Sequence, residues 1–372
     1  MRPMEIDRRR LLAGALGVVG AALLPGPGRS EAAPELYAAT RKSPGGDYSA
    51  AIFDAAGQDM NAVGLSARGH DIAACPITRC CVAFARRPGN FAVAFSADRS
   101  APPICFTTPP DRHFYGHGIF SPDGRLLFAT ENAFAEGQGR IGIYDATSGF
   151  KRIGEFAAYG IDPHDIALLA DGRTLVIANG GLATHPDFGD GRAPLDLAAM
   201  APSLTYVDLR TGDLIEKHAL PGELRMTSLR HLDKGVGGRV IIGCQTPVTE
   251  DGPELPLVLR HRLGEPLTPV ELGEELQMAL NGYVSSVAVD ASGEVAAVTS
   301  SKGNSVLFVD VRSGRALGRR SLSDVSGVAS GRDAGEFLLT TGFGNVVSGV
   351  SLDRASGSHK ADWQWDNHAV KL

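Results

Sequence analysis

Gly69-His70-Asp71-Ile72-Ala73, Gly116-His117-Gly118-Ile119-Phe120 and Pro163-His164-Asp165-Ile166-Ala167 are three versions of one phrase. Their histidines stand at 70, 117 and 164, two equal intervals of 47 residues, and each opens a short apolar run. A phrase returning at such an interval marks one structural unit copied along the chain, and units of roughly 40 to 50 residues are the size of propeller blades. Carrying the alignment forward puts Thr227 or Ser228, Ser285, Ser326 and His368 in the same place. Seven anchors imply seven units.

Between the anchors lie short strand-like runs such as 140–144 and 305–309, and turns of the form Asp-x-x-Ser/Thr-Gly at 145–149, 208–212, 310–314 and 353–357. In such turns the Asp side chain bonds the backbone ahead of it and the Gly takes a positive φ. Four short strands per unit make a blade. After the last anchor only one strand remains, and three precede the first, at 36–42, 48–53 and 61–67. The reading predicts an all-β, seven-bladed β-propeller over 33–372, its last blade closed by one C-terminal strand and three N-terminal strands, with no free edge.

Residues 1–32 read as a twin-arginine-type signal peptide. Arg8-Arg9-Arg10 precede an uncharged run from Leu11 to Leu24, and Ser30-Glu31-Ala32 supplies small residues for cleavage. Fourteen residues fall short of the roughly 20 that span a bilayer. The expected location is the periplasm, with no membrane attachment of the mature chain, as a monomer. A net charge of −6 gives no footprint for nucleic acid. In an oxidising compartment, one disulfide among Cys75, Cys80, Cys81 and Cys105 is compatible with the sequence, but the odd count of five, Cys244 included, leaves at least one free thiol, and the adjacent Cys80 and Cys81 read better as buried small apolar residues than as a bridge or a metal pair.

In a propeller the first strand of each blade lines the central channel, so the anchors form a ring at one mouth. His70, His117, His164 and His368 come from consecutive blades and occupy one side of it, a set that suits a late first-row metal such as iron or copper. Asp71 and Asp165 are expected to support these histidines rather than ligate. Glu131, Asn132, Asn179, Ser285 and Ser326 complete a polar collar, and His185 and Asp187 lie on a long connection, 180–203, read as a lid with a helix-like piece at 195–200. Arg68, Arg112 and Arg225, just ahead of anchors, could attract an anionic ligand. His113, His218, His261 and His359 are expected at solvated outer positions, and Trp363 and Trp365 between the last two blades. No catalytic motif is present. The alternative is that the anchor histidines simply hydrogen-bond within their blades, as in the Gly-His of WD repeats.

The double-arginine leader, the repeated Gly/Pro-His-Asp/Gly starts, Asn179-Gly180-Gly181, Thr184-His185-Pro186-Asp187 and Met200-Ala201-Pro202-Ser203-Leu204 resemble a bacterial family classed only as a domain of unknown function. Its members look like exported propellers encoded near imelysin-type proteins linked to iron uptake. The resemblance implies a periplasmic location and periplasmic iron-uptake proteins as partners, and supplies no activity. Three readings follow: a periplasmic protein binding a metal ion or complex, a metal-dependent enzyme (lactonase-like hydrolase or oxidoreductase), and a docking platform with an inert channel.

Overall fold

A sheet covered on both faces needs strands that are apolar on both sides, and the chain supplies them in runs such as Cys80–Ala85, Thr174–Asn179 and Ser203–Asp208. The computed structural model describes residues 34–247 and 255–372, folded as seven antiparallel sheets. The leader read at 1–32 lies outside the described residues.

Blades 1 to 6 begin with strands Gly69–Ala74, His113–Phe120, Pro163–Leu168, Ser228–Lys234, Ser286–Val289 and Val325–Ser330, and each has four strands. Blade 7 is built from both ends. Leu36–Lys42, Tyr48–Asp54 and Asp59–Leu65 come from the N-terminal part, and Gln364–Trp365 with Val370–Lys371 pair against Leu36–Lys42. Lys371 fastens the seam through Glu35 Oε1 at 2.7 Å and the Gly331 carbonyl at 2.6 Å. The seven-bladed architecture and its composite last blade are therefore as expected.

The apolar residues fall into seven clusters, each spanning one junction between neighbouring blades. Phe84, for example, meets Phe114 of the next blade with ring centroids 5.3 Å apart. Full burial of a side chain of this kind contributes about 1.5–3 kcal/mol. Stability is thus spread around the ring, while fourth strands such as Gly357–Lys360 face solvent. Trp365 packs at a tilt against Phe53, ring centroids 4.6 Å apart, in the junction of blades 6 and 7, and Trp363 lies under the Arg41 guanidinium.

Three of the four Asp-x-x-Ser/Thr-Gly turns close as read. Asp310, for instance, accepts from Ser313 N at 2.7 Å and Gly314 has φ 71°. The fourth does not: Gly357 has already entered the outer strand. Asp310→Ala is expected to cost about 1 kcal/mol, the usual net worth of such bonds, read as a lower denaturant midpoint with an unchanged slope; an unchanged midpoint would refute the role of this turn.

Two other expectations are corrected. The stretch 195–200 forms turns, and the one α-helix among the described residues is Gly273–Ala279. His113 and His261 are buried, not solvated: His113 Nδ1 bonds the Phe114 carbonyl within its blade, and His261 Nδ1 bonds the Tyr206 hydroxyl across the junction of blades 3 and 4.

Candidate metal centre

Every one of the first strands in blades 1, 2, 3, 4 and 6 slips register at its anchor: at 69/72, 114/118, 163/165, 229/231 and 325/327. A bulge breaks the strict alternation of a strand and re-aims its side chains. Two consecutive residues can then reach the same centre. So it is with His70 and Asp71, His164 and Asp165, and Arg230 and His231.

The structure brings His70, His117, His164 and His368 together. Ring centroids of His70 and His117, His70 and His368, and His117 and His368 are 4.8, 4.8 and 4.9 Å apart, with His164 at 5.1 Å from His117. A fifth, His231, lies 4.5 Å from His368 and 5.0 Å from His164. All five are buried. The fourth anchor was misplaced by the sequence reading: pairing shows that Arg230, not Thr227 or Ser228, is the equivalent of His164, and the bulge turns its neighbour His231 inward.

Hydrogen bonds set what each imidazole can do. His117 Nδ1 faces Asp71 Oδ2 at 2.9 Å and Asp165 Oδ1 at 3.3 Å, contributed by the blades on either side. Its Nε2 is buried without a partner. Burial works against a charge on His117, but the Asp165 and Asp71 carboxylates outweigh it and push the ring up to about 10. His368 Nδ1 meets Ser286 Oγ at 3.1 Å, leaving Nε2 unpartnered, and burial pushes it down to about 4. His70 Nδ1 is also unpartnered, and burial holds His70 well below the ordinary histidine range. His164 differs: Arg230 donates to its Nδ1 at 3.0 Å, so that lone pair is already used.

His70, His117 and His368 each bring one nitrogen to within 4.8 Å of the other two. A metal ion with bonds of about 2.0–2.1 Å would draw the three rings closer together, and at His117 it would take the place of the Nε2 proton. The two carboxylates behind His117 orient the ring and would help to balance a metal's charge, an arrangement typical of the outer shell of histidine sites. Three imidazoles would leave a fourth coordination position open.

The imidazoles stand between two chambers. The channel below them, about 350 Å³, is lined by Asp71, Asp165, Asp233 and His368 among others. The chamber at the mouth, about 270 Å³, is lined by His70, His164 and His231 together with arginines.

The rest of the expected collar has other work. Glu131 is fully buried within blade 2, paired with Arg152 at 2.8 Å and the Tyr144 hydroxyl at 2.6 Å. Asn132 holds the long connection by donating to the Thr184 carbonyl, and also meets His113. Asn179 donates to Thr205 Oγ1. Ser285 bonds Ser301, and Ser326 donates to the Asp366 carbonyl; the serine that reaches the histidines is Ser286. His185 packs on Phe134 and receives the Asp187 N–H, and the Asp187 carboxylate is 89% exposed. Neither contributes to the five-imidazole cluster. Arg68 pairs with Asp366, Arg112 with Asp111, Glu136 and Glu155, and Arg225 bonds the Leu197 carbonyl; none of them lines the mouth chamber. The five cysteines are free thiols, and Cys81 and Cys244 are taken up by the cores between blades, where burial pushes them up.

A family profile described as "Protein of unknown function (DUF1513)" matches residues 63–372. No curated protein matches the sequence. Among solved structures, Kuenenia stuttgartiensis hydrazine synthase superimposes with a TM-score of 0.61 at 14% identity, covering 87% of this chain and 94% of that one. The Cps50 (Swd1) β-propeller domain of Myceliophteria thermophila gives 0.55 at 12%, covering 82% and 92%, and a chain of the mitotic checkpoint complex 0.55 at 13%, covering 78% and 79%. At these identities the likeness is one of fold.

Proposed function

The chain belongs to the DUF1513 family, whose function is unknown, so its role has to be read from its own residues, and we propose that it binds a late first-row transition metal ion at His70, His117 and His368. The observation that carries this reading is the set of buried, unpartnered nitrogens on three converging rings. A buried polar atom left unpaired costs about 1–3 kcal/mol, and a metal ion supplies the missing partner for all three at once. Imidazole donors without thiolate suit iron, copper and zinc, and of these we favour iron or copper. The paired arginines of the leader support export to the periplasm by the twin-arginine route. There the protein would serve metal handling, with periplasmic iron-uptake proteins as partners.

Titrating metal-free protein with Cu(II), Fe(II) or Zn(II) tests this. One equivalent is expected to bind and to raise the thermal midpoint, since free metal at 100 times Kd stabilises by about 2.7 kcal/mol. Binding without saturation at one equivalent, or no shift, would overturn it.

The open fourth position favours a second reading. Three imidazoles and a vacant site form the donor set of a Lewis-acid metal, and turnover of simple lactones or phenols by the metal-loaded protein would give that reading priority.

A further inference from the structure

The chamber at the mouth is lined by Arg86, Arg87, Arg192, Arg230 and Lys302, and by no carboxylate. The nearby acids are behind the wall. Asp162, fully buried, holds Arg87 at 3.0 Å and Arg230 at 3.2 Å. Asp366 holds Arg68 at 2.6 Å and reaches Arg86 only at 3.4 Å. Two carboxylates therefore face six cations if Arg68 is included, and the excess points at the cavity.

Several of these cations are poorly matched by the protein. Arg192 makes no side-chain hydrogen bond or ion pair among the described residues, Lys302 has only the face of Tyr283 at 5.1 Å, and Arg230 Nε is buried and unpartnered. Burial pushes Arg86 down to about 10, with Asp366 offsetting only part of the effect. The long connection is what delivers Arg192: its Gly191 is seated so closely on Pro88 of blade 1 that a Cβ there would come within 2.5 Å of the proline ring. This loop closes one side of the chamber.

We propose that the mouth chamber binds a small polycarboxylate, a di- or tricarboxylate of the size of citrate, directly above the imidazoles. At about 270 Å³ the space is below that of drug-sized ligand sites, roughly 300–1,000 Å³. Guanidinium forks match carboxylates in planar pairs. They are spread here from the rim, at Arg192 and Lys302, to the floor, at Arg230, so that separated negative charges fit better than one compact tetrahedral oxyanion. Gln245, Ser301 and Asn367 add neutral partners on the same walls. The inference extends the metal reading by naming the form in which the ion arrives, a carboxylate complex whose free arm fills the open position, but the anion site itself stands on separate residues.

Calorimetric titration of the metal-free protein with citrate, and in parallel with inorganic phosphate at the same ionic strength, tests it. Citrate is expected to bind with 1:1 stoichiometry and at least tenfold more tightly than phosphate. In an Arg192→Glu, Lys302→Glu variant, both sites being exposed, citrate affinity should fall at least tenfold, the effect of losing one or more charged hydrogen bonds. Arg86→Gln, which removes the charge but keeps a polar side chain, should weaken it in the same direction. Absence of citrate binding, phosphate binding as tight as citrate, or unchanged affinity in the arginine and lysine variants would overturn the proposal. The metal titration is unaffected by any of these outcomes, so failure of one reading is distinguishable from failure of the other.

Discussion

Protein carrying His70→Ala and His368→Ala is expected to lose tight metal binding, by at least about 100-fold, while keeping its fold. Replacing only an outer partner of a ligating histidine costs about 10–100-fold in affinity, and this variant removes two of three direct donors. These two histidines are the right ones to remove. His117 also neutralises Asp71 and Asp165 at 2.9 and 3.3 Å, so its loss would leave two half-buried carboxylates without their shared partner and confuse ligand loss with unfolding. His70 and His368 carry no such burden: His368 gives up one bond to Ser286, and His70 Nδ1 gives up none. Asp71→Asn and Asp165→Asn, made singly, should each weaken binding by about 10–100-fold. Inductively coupled plasma analysis of the purified proteins, with circular dichroism beside it, reads the result. Equal metal in parent and double variant would make the imidazoles structural.

Asp162→Asn should be the most destabilising conservative change in the molecule, about 3 kcal/mol or more. Asp162 has φ 60°, a conformation Asn accepts as readily as Asp, so the backbone is not the cause. What disappears is the charge that holds Arg87 and Arg230, whose side chains are only 11% and 5% exposed. Removing one partner of a buried pair leaves the other uncompensated, which typically costs about 3–5 kcal/mol. Glu294→Gln is the control. It breaks a pair with Arg312 in which the two side chains are 58% and 68% exposed, so water can take over at both, and the loss should stay within about 1 kcal/mol. Urea denaturation of both variants compares them, and similar midpoints would mean that Asp162 is not the keystone of the chamber wall.

How much of this was visible in the chain alone depends on whether a feature follows the repeat. The 47-residue interval and the leftover strands at the two ends were enough for the blades, their number and a C-terminal strand at 368–372 closing on 36–42, though not for the second short strand, Gln364–Trp365, that pairs there too. It also placed four histidines in one ring, since they begin equivalent strands. The fourth anchor failed because blade 4 has no histidine at the repeat position, and an extra residue at 229–231 turns His231 inward; bulges leave no mark in a periodic pattern. Glu131 was misread for a related reason. It lies in the second strand of its blade, but its side chain turns to Tyr144 and Arg152 of the same blade instead of the channel mouth. The cations of the mouth were the least legible. Arg86 and Arg87 follow a second strand and Arg192 comes from the long connection, so no spacing relates them to one another, while of the arginines nearest the anchors Arg68 and Arg112 found carboxylates elsewhere and Arg225 a backbone carbonyl.

Blade 7 carries one more implication. His368 sits beside the short strand that seals the ring to Leu36–Lys42. The seam of the propeller and the third imidazole of the proposed site are thus one segment, so a variant that loosens the pairing of Val370–Lys371 with Leu36–Lys42 is expected to weaken metal binding together with the closure.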